Sequence, residues 1–546
     1  MTATSAPGAV DPLALLGSRP RRRAAPWTLV AASVVVAVLF AAPLAYLVIR
    51  TAGLGAAALD VLRSDDAWGP LRNTLTLAVL VSVPCAIVGT ACAWLVTRTD
   101  LPGRGVWRIV LALPLVVPSY VGALALIAAF APGGIVDGLV GFATPPEVRG
   151  LGGSVFVLVL LSYPYVYLPV AARLASLPPQ LEESARSLGR GPVEVFRTVV
   201  LPQSWGAIAG GTLLVFLYAV SEFGAVSLMR YDTLTLRIEA TRLFARDTST
   251  TLSMLLAVVA LTVVVVERAT VRRRAGVEAV GAGRRSLQHS LGIWKLPALG
   301  MVALVTGLAL VAPVVVLGQW AWRGLRGTSR FGGPGVALSE LTTPLVNTAG
   351  ISVVAALVTV AAVLPIAYLT VRYRSRAGGA VNAVVVGGFA LPGLVIALSL
   401  VYWVLQAPGF DRLYQTYPLL VFAYAVHFGA QGLRASQEAV AGLPRRIDDA
   451  ARSLGARRLR RFVTLDLPLM RPGLAAAVGL VLLACMKELP ATLLLAPIGF
   501  ETLAIRIWSA AENGFLARAG LASLALVAVS AALTWVLTIR RLDRLS

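Results

Sequence analysis

The sequence predicts an all-α integral membrane protein of about twelve transmembrane helices, arranged as two tandem six-helix halves. The first observation is composition: 58% of the 546 residues are apolar and 14% are charged, with a mean hydropathy of +0.80. The second is a series of apolar runs of about 20 residues, the length that a helix needs to cross hydrocarbon. The third is a segment repeated in both halves. A soluble domain needs more polar surface than this composition provides, so the bilayer is the solvent.

Twelve apolar runs are long enough to be spans. The first six lie near residues 27–49, 73–96, 109–130, 154–173, 207–229 and 250–266. The second six lie near residues 296–317, 347–370, 381–405, 417–433, 473–495 and 518–538. The predicted organisation is therefore an N-terminal tail (1–26), a first half (27–266), a polar linker (267–293) and a second half (294–546). The first run is longer than the 7–15 apolar residues of a signal peptide, so we interpret it as a retained span.

The formal net charge of +22 indicates orientation in the membrane. No zinc-finger, RNP-like or basic-aromatic stretch accompanies the arginines, which argues against a nucleic-acid-binding protein. They cluster instead in alternate loops, near 98–108, 186–197, 268–285, 372–376, 445–461 and 540–544. By the positive-inside rule these loops and both termini are cytoplasmic, and loop 230–249 is the one exception.

The cysteines and histidines indicate neither disulfides nor a metal site. Cys85, Cys92 and Cys485 all lie inside apolar runs, and none belongs to a C-x-x-C pair. His289 and His427 are too few for a His-rich metal centre. We interpret these residues as buried small hydrophobes and isolated polar groups.

The two halves share a repeated segment. LPPQLEESARSLGRGPVEVFRTVVLP (177–202) and LPRRIDDAARSLGARRLRRFVTLDLP (443–468) are identical at 11 of 26 positions at a constant offset of 266. Glu222 and Glu488 fall at the same offset, and after a three-residue slip YDTLTLRI (231–238) matches FETLAIRI (500–507). Tandem membrane repeats commonly place the translocation path at their interface.

The repeated segment predicts a short helix exposed on the cytoplasmic side. In the first copy Pro179 suits a first turn, and Glu182 and Glu183 favour a helix N-terminus. Ala185 permits close approach of another backbone, and Gly189 can adopt the left-handed conformation that ends a helix. The second copy has the same residue types 266 positions later. Two similar helices on one side predict two copies of a partner.

This segment resembles the EAA motif of binding-protein-dependent ABC importer permeases. The matching residues are Glu183, Ser184, Ala185 and Gly189 in the first half and Asp449, Ala450, Ala451 and Gly455 in the second. Each copy departs from the consensus at one position. Ser184 replaces alanine and is also small, and Asp449 replaces glutamate and keeps its negative charge. The resemblance implies two type I importer permease repeats in a bacterial inner membrane, with coupling helices that dock on two ATPase subunits. It also implies an extracytoplasmic solute-binding protein and an alternating-access cycle.

The sequence contains no ATP site of its own. A P-loop requires G-x-x-x-x-G-K-[ST], and the two lysines, Lys295 and Lys487, do not follow a glycine. We therefore expect a permease that is not an enzyme and has no cofactor, with ATP and magnesium bound by a separate ATPase.

Polar residues within spans 5 and 11 are the candidates for the translocation path or a gate. They are Ser221, Glu222, Lys487, Glu488, Pro490 and Thr492. Ionisable groups at membrane depth are costly and usually face the bundle interior. Pro490 removes a backbone hydrogen bond and predicts a break. At 1.5 Å per residue, Lys487 and Glu488 are predicted to lie about 22 Å along their helix, and we hypothesise that Lys487 bridges to Glu222. Two interpretations of these residues remain. They line the path of a cation, or they form an ionic clasp that does not contact the substrate.

The stretches KELPAT (487–492) and GFETL (499–503) resemble those of fused ferric-iron importer permeases. Carboxylate oxygens suit a hard trivalent ion, although no larger set of inward carboxylates is visible, and metal ligands are therefore not assigned. Thiamine, phosphonate and polyamine importers share the architecture and are alternatives. In this family the solute-binding protein sets specificity.

Two other classes of function compete with the importer. A secondary transporter of the major facilitator type also has twelve spans, and TDLPGRGVWR (99–108) is faintly similar to its loop between spans 2 and 3. The second half lacks the acidic residue of that loop. A receptor-like membrane protein without transport gives no reason for a duplicated docking segment.

Overall fold

The computed structural model describes residues 25–141, 144, 146–272, 289–327, 336–373, 375–388, 391–444, 447, 451, 453 and 457–536. Helices account for most of these residues, and no β-strand occurs within these ranges. An isolated bridge joins Thr99 to His289. The predicted all-α architecture is confirmed.

The helices of the first half are α1 (Trp27–Leu54), α2 (Ala56–Arg63), α3 (Asp65–Arg98), α4 (Arg104–Val110), α5 (Ser119–Phe130), α6 (Ile135–Val140), α7 (Gly150–Ser162), α8 (Pro164–Ser176), α9 (Pro179–Ser187), α10 (Pro192–Val195), α11 (Leu201–Ser221), α12 (Gly224–Leu228), α13 (Leu234–Thr241) and α14 (Arg246–Arg272). Those of the second half are α15 (Lys295–Thr306), α16 (Ala312–Leu325), α17 (Thr342–Tyr368), α18 (Arg376–Gly388), α19 (Gly393–Gln406), α20 (Tyr417–Ala441), α21 (Arg458–Arg461), α22 (Leu467–Met486), α23 (Pro490–Leu495), α24 (Leu503–Glu512) and α25 (Leu516–Thr534).

The number of apolar spanning helices is slightly smaller than predicted. In the described part of the chain, ten helical stretches are long and apolar enough to cross a membrane, and the bent pair α18 and α19 makes an eleventh. The remaining predicted span, 417–433, forms part of helix α20. His427, Gln431 and Arg434 make α20 less apolar than the others, and it is largely buried between α17 and α22.

Prolines and glycines divide several predicted spans into two helices. The predicted span 109–130 becomes α4, a 3-10 turn (Leu113–Val116) and α5, and the chain is extended at Pro118. Proline lacks the amide hydrogen that a continuous helix requires. The spans 207–229 and 473–495 are likewise broken, between α11 and α12 and between α22 and α23. Each break leaves polar backbone inside the bundle, where protein neighbours can satisfy it.

The first long helix of each half packs against the other half. Helix α1 contacts α17, α18 and α19 as well as α14, and α16 contacts α5 as well as α25. On α20, Gly429 leaves room for the Phe40 ring of α1, which a Cβ at that position would overlap. Trp320 of α16 donates a hydrogen bond from Nε1 to the Ala128 carbonyl, at 3.0 Å. The two halves are therefore joined by exchanged helices.

Glycines allow the central helices of the first half to approach closely. A Cβ at Gly89 of α3 would lie 2.8 Å from Val166 Cβ, and one at Gly211 of α11 would lie 2.8 Å from Val166 Cα. Small residues at helix interfaces are the usual means of close packing within membranes. Helices α3 and α11 thus contact α8 at backbone distance.

Candidate coupling and translocation site

Helix α9 is the predicted coupling helix of the first half. It begins at Pro179 and ends before Gly189, whose φ of +82° is left-handed. The Gly189 amide donates to the Arg186 carbonyl at 2.9 Å, and the Arg190 amide donates to the Ala185 carbonyl at 3.3 Å. These two bonds form a Schellman ending, and glycine can adopt the required φ without strain.

A buried ion pair attaches α9 to the end of α3. Glu182 Oε1 lies 2.8 Å from Arg98 Nη1, and both side chains are almost fully buried. Arg98 Nη2 also donates to the Leu174 carbonyl, at 2.6 Å. A movement of α9 would therefore act directly on α3 and on the end of α8.

The end of the predicted linker (267–293) also contacts α9 through His289. The His289 amide donates to the Arg98 carbonyl at 2.7 Å, and the His289 carbonyl accepts from the Asp100 amide at 3.1 Å. The imidazole stacks on Trp94, lies 2.6 Å from Arg186 and 3.4 Å from Glu182. The end of the linker, just before the second half, is thus bound to the coupling segment of the first half.

The carboxylates at this junction are held in their charged forms. Burial alone would raise the pKa of Glu182, but the hydrogen bond with His289 and the charge of Arg98 outweigh it, and the pKa is lowered. The pKa of Asp100 is lowered by its hydrogen bonds with Lys295 and the Leu291 amide. Both groups therefore stay ionised throughout the neutral range.

The exposed face of α9 carries the other predicted residues. Glu183 and Ser184 are exposed, whereas Ala185 is buried against the bundle. Leu181 and Leu188 are also exposed, at 44% and 78%. Leu181, Ser184 and Leu188 are spaced as neighbours along one helix face, which gives α9 an uncovered surface with apolar ends.

The second coupling segment is described only in part. Asp449, Ala450 and Gly455 lie outside the described residues, and Ala451 is buried. Beyond the segment, a π-helical turn (Phe462–Asp466) leads into α22, as Phe196–Val200 leads into α11 in the first half. The Phe462 ring packs edge-on against Tyr368, as Phe196 packs against Trp94.

The candidate path residues lie at the two helix breaks. Ser221 ends α11, Glu222 follows it, and the helix resumes at Gly224. Lys487 and Glu488 follow the end of α22, and the helix resumes at Pro490. Because α22 has 20 residues, Lys487 lies about 30 Å along its axis. The predicted value of about 22 Å was too small because the helix begins earlier than the apolar run.

Glu222 is buried and held by hydrogen bonds from both sides of the break. Its Oε1 accepts from Ser119 Oγ at 2.8 Å and from the Ala225 amide at 2.9 Å. The Tyr218 hydroxyl also lies close to the carboxylate. Ser119 is the first residue of α5, so this carboxylate lies at the start of a helix, where negative charge is favoured.

Glu488 has a corresponding position in the second half. Its Oε1 accepts from the Ala491 amide at 3.2 Å, and a Cβ at Gly393, the first residue of α19, would lie 2.7 Å from the same oxygen. His427 Nε2 lies 3.7 Å from Oε2. The Thr492 hydroxyl donates to the Glu488 carbonyl at 2.6 Å and contacts the Tyr424 hydroxyl.

The hypothesised bridge between Lys487 and Glu222 is wrong for this conformation. Lys487 Nζ donates instead to the Leu115 carbonyl of the first half, at 2.8 Å. Glu222 is occupied by Ser119 and Ala225. Lys487 and Glu488 are adjacent at the helix break, and their side chains take different directions. Lys487 contacts the 3-10 turn before α5, whereas Glu488 faces α19.

The two breaks meet where the halves join. Tyr120 of α5 and Leu489 both pack near Gly224, where an added Cβ would lie 3.0 Å from Tyr120 Cβ and 3.5 Å from Leu489 Cδ2. The buried Tyr120 hydroxyl has no hydrogen-bond partner among the described residues. We call Glu222, Glu488 and Tyr120 the seam cluster.

Sequence reasoning missed Ser119 and Tyr120, which lie in a predicted span outside the repeated segment, and it interpreted His427 as an isolated polar group. It also missed a repeated pair of threonine contacts. Thr74 Oγ1 accepts from the Leu234 amide at 2.9 Å, and Thr348 Oγ1 accepts from the Leu503 amide at 2.8 Å. The matching Asn-Thr dipeptides at 73–74 and 347–348 were the available signal for this contact.

A cavity of about 270 Å³ lies between the halves, beyond the breaks as seen from α9. Its lining includes Leu124, Arg149 and Arg230 from the first half and Trp508 and Glu512 from the second. The lining of this cavity thus carries two positively charged arginines and one negatively charged glutamate.

Comparison with known proteins agrees with this architecture. The pattern of the binding-protein-dependent transport system inner membrane component family matches residues 86–267 and again 359–542. The chain is 32% identical to the Fe(3+)-transport system permease protein FbpB 2 of Haemophilus influenzae over 496 residues, which are 89% of this chain and 93% of that protein.

Shorter matches cover part of the chain. It is 33% identical over 169 residues to the molybdenum transport system permease protein ModB of Escherichia coli, covering 30% of this chain and 72% of that protein. It is 32% identical over 168 residues to the sulfate transport system permease protein CysT of Salmonella typhimurium, covering 31% of this chain and 60% of that protein. The major facilitator alternative is excluded, and the chain is an integral inner-membrane protein that belongs to the family of binding-protein-dependent ABC transport permeases, with two tandem copies of the family domain.

Proposed function

We propose that this chain is the transmembrane permease subunit of an ATP-driven importer that carries ferric iron from a solute-binding protein into the cell. The α9 side of the bundle and both termini face the cytoplasm in this proposal, and the cavity near Trp508 faces outward. The arginine-rich loops on the α9 side support this orientation. A solute-binding protein would deliver its cargo at the cavity.

The observation that carries the transport mechanism is the attachment of α9. Its exposed face (Leu181, Ser184, Leu188) is free for a partner, whereas its buried face is joined to α3 through Glu182 and Arg98. Two ATPase subunits, which bind ATP and magnesium, would dock on α9 and on its second-half counterpart. Their closure would then tilt α3 and open the seam between the halves outward, and hydrolysis would reset it.

Ferric iron as the cargo is supported by similarity over most of the chain to a permease named for Fe(3+) transport. The buried carboxylates Glu222 and Glu488 are hard oxygen donors of the kind that trivalent iron prefers. We assign Ser221, Glu222, Lys487, Glu488, Pro490 and Thr492 to the path and its gate on this basis.

An oxyanion is a second candidate cargo. Arg149 and Arg230 line the outer cavity, and sulfate and molybdenum permeases are among the relatives. However, an oxyanion that passed the seam would meet two buried carboxylates and be repelled. The seam therefore favours a cation.

Uptake into proteoliposomes tests the proposal. The permease, its ATPase and its binding protein are reconstituted together, and radiolabelled ferric iron, sulfate and molybdate are supplied separately. We expect ATP-dependent accumulation of iron alone. Accumulation of an oxyanion instead would reject iron as the cargo, and transport without the ATPase would reject the importer mechanism.

A further inference from the structure

We propose that His289, at the end of the linker, is a positioning residue that holds the first coupling helix, α9, and links its movement to the second half. The linker then takes part in coupling, in addition to connecting the two halves covalently. The inference rests on the proposed docking of an ATPase subunit on α9 and deepens it, because it names the residue through which that docking acts on the other half.

The backbone of the linker end is fixed against the end of α3. The His289 amide donates to the Arg98 carbonyl at 2.7 Å, and the His289 carbonyl accepts from the Asp100 amide at 3.1 Å. The Asp100 carboxylate accepts a further hydrogen bond from the Leu291 amide, at 2.8 Å. Because three backbone amides take part, this segment has a defined place on α3, and the side chain of His289 is carried to α9.

The imidazole of His289 joins α9 to α3. It stacks on Trp94 of α3, with the ring centroids 5.2 Å apart, and its Nδ1 lies 2.6 Å from Nη2 of Arg186 on α9. Because arginine only donates hydrogen bonds, Nδ1 is the acceptor of this contact. The ring proton is then on Nε2, which faces Glu182 Oε2 at 3.4 Å. One side chain thus contacts two residues of α9 that are neighbours on successive turns.

The same segment continues directly into the second half. Residues 290–294 are all that separate His289 from Lys295, the first residue of α15, and Gly292–Trp294 form a 3-10 turn. Lys295 Nζ lies 2.7 Å from Asp100 Oδ2, so the start of α15 is also attached to the end of α3. A connection this short has little length to extend. A displacement of α9 that moves His289 therefore moves α15 as well.

The second half holds the corresponding position in another way. Tyr368 stands where Trp94 stands in the first half, since each ring packs edge-on against the matching phenylalanine, Phe462 or Phe196. The Tyr368 hydroxyl donates to Asp466 Oδ2 at 2.8 Å. Among the described residues, the second half thus secures this point with its own side chain, whereas the first half uses the linker. The dependence on His289 is therefore specific to the first coupling helix.

These contacts predict how His289 acts on coupling. An ATPase subunit docked on the exposed face of α9 would move this helix as the ATPase dimer closes. With His289 in place, the last turn of α9 moves together with α15. Without the imidazole, the ion pair between Glu182 and Arg98 still holds α9 to α3, but the contact of Arg186 with the linker is lost. ATP hydrolysis then continues while less of the movement reaches the second half.

A distance measurement tests the link without cargo or ATPase. Nitroxide labels are attached to Leu188→Cys, just after α9, and Ile293→Cys, just before α15, in the full chain in lipid nanodiscs. Both positions are highly exposed, and the three native cysteines are buried. We expect a narrow distance distribution that becomes roughly twofold wider in His289→Ala, because a local contact is released. Ser290→Ala, the exposed neighbour whose hydroxyl lies 3.5 Å from Asp100, is the matched control and should not widen it.

The second readout is the number of ATP molecules hydrolysed for each ion imported by the reconstituted importer. His289→Ala should raise this ratio about fivefold, the low end of the usual coupling between sites. His289→Gln keeps an acceptor for Arg186 and a donor for Glu182, so it should restore most of the coupling. The melting temperature of His289→Ala should fall far less than that of Glu182→Gln, because the ion pair with Arg98 remains.

The outcomes separate this inference from the proposed function. An unchanged distance distribution in His289→Ala would overturn the link, whatever the cargo. A large fall in melting temperature with unchanged ATP use for each ion would also overturn it, since His289 would then be structural only. If the unmodified chain imports no iron, the proposed cargo is rejected, and the distance measurement alone decides whether His289 links α9 to the second half.

Discussion

At the scale of single residues, the junction beneath α9 depends on which of two adjacent glutamates is buried. Glu182 pairs with Arg98 inside the protein, whereas Glu183 is exposed. The resemblance to the EAA motif pointed to Glu183, and a helix of nine residues gives too little periodicity to decide. The structure assigns attachment to Glu182 and leaves Glu183 for a partner.

Glu182→Gln should destabilise the chain by about 3 kcal/mol, because it leaves Arg98 buried without its counterion. Thermal unfolding of the purified protein measures the effect. Glu183→Gln is the matched control and should change stability by no more than about 0.5 kcal/mol, as is usual for exposed positions.

The paired variant Arg98→Met with Glu182→Leu removes both charges from the same junction. Replacement of a buried ion pair by apolar residues is often neutral, so this variant should recover most of the lost stability. Equal melting temperatures for Glu182→Gln and Glu183→Gln would contradict the role given to the ion pair.

At the scale of elements, the end of α9 makes a sharp prediction. Gly189 has a φ of +82°, whereas proline is fixed near −65°. Gly189→Pro should therefore disrupt the Schellman ending and the exposed face of α9. We expect normal insertion into the membrane, with ATP hydrolysis uncoupled from uptake in the reconstituted importer.

Two other variants show whether the backbone conformation is responsible. Gly189→Asn should retain most of the uptake, because asparagine tolerates the left-handed region. Gly191→Ala should have no effect, since an added Cβ meets nothing within 4 Å and its φ is ordinary. Normal coupling in both Gly189→Pro and the equivalent Gly455→Pro would refute the coupling role of these segments.

The packing of α11 on α8 provides a prediction about stability. At Gly211 an added Cβ would lie 2.8 Å from Val166 Cα and 2.9 Å from the Tyr165 carbonyl oxygen. Both are backbone atoms, so the helices must separate. Gly211→Ala should cost about 1–3 kcal/mol, as overpacking usually does, and lower the melting temperature.

The neighbouring glycine is the control for this effect. At Gly210 an added Cβ meets nothing within 4 Å, so Gly210→Ala should be neutral or slightly stabilising within the helix. If Gly211→Ala and Gly210→Ala had the same melting temperature, the close approach of α8 and α11 would not limit stability.

At the scale of the whole molecule, the sequence predicted the helical class and the duplication, because apolar length and a constant offset do not depend on tertiary contacts. It could not predict that α1 packs against the second half. Spans facing lipid and spans facing protein are similarly apolar, so hydropathy does not reveal neighbours. The seam cluster was only half predicted: Glu222 and Glu488 follow from the repeat, but Tyr120 lies outside any repeated pattern.

The exchanged helices predict that the halves stay together when the linker is cut. A protease site inserted between 273 and 288 would allow cleavage after assembly in the membrane. Because α1 packs on α17 to α19 and α16 packs on α5, we expect the two fragments to co-purify in mild detergent and to retain uptake.

The contact between Phe40 and Gly429 then shows which surface holds the fragments. Gly429→Ala places a Cβ within the Phe40 ring, so the ring or α1 must shift, and the fragments of the cleaved variant should separate more readily on size-exclusion chromatography than those of the unmodified chain. Gly387→Ala, on α18, meets nothing within 4 Å and should leave the cleaved pair intact. Since the uncleaved Gly429→Ala chain keeps its halves tethered, it should lose less uptake than the cleaved one. Separation of the unmodified fragments after cleavage would mean that the linker, rather than the exchange of α1 and α16, holds the two halves at the seam.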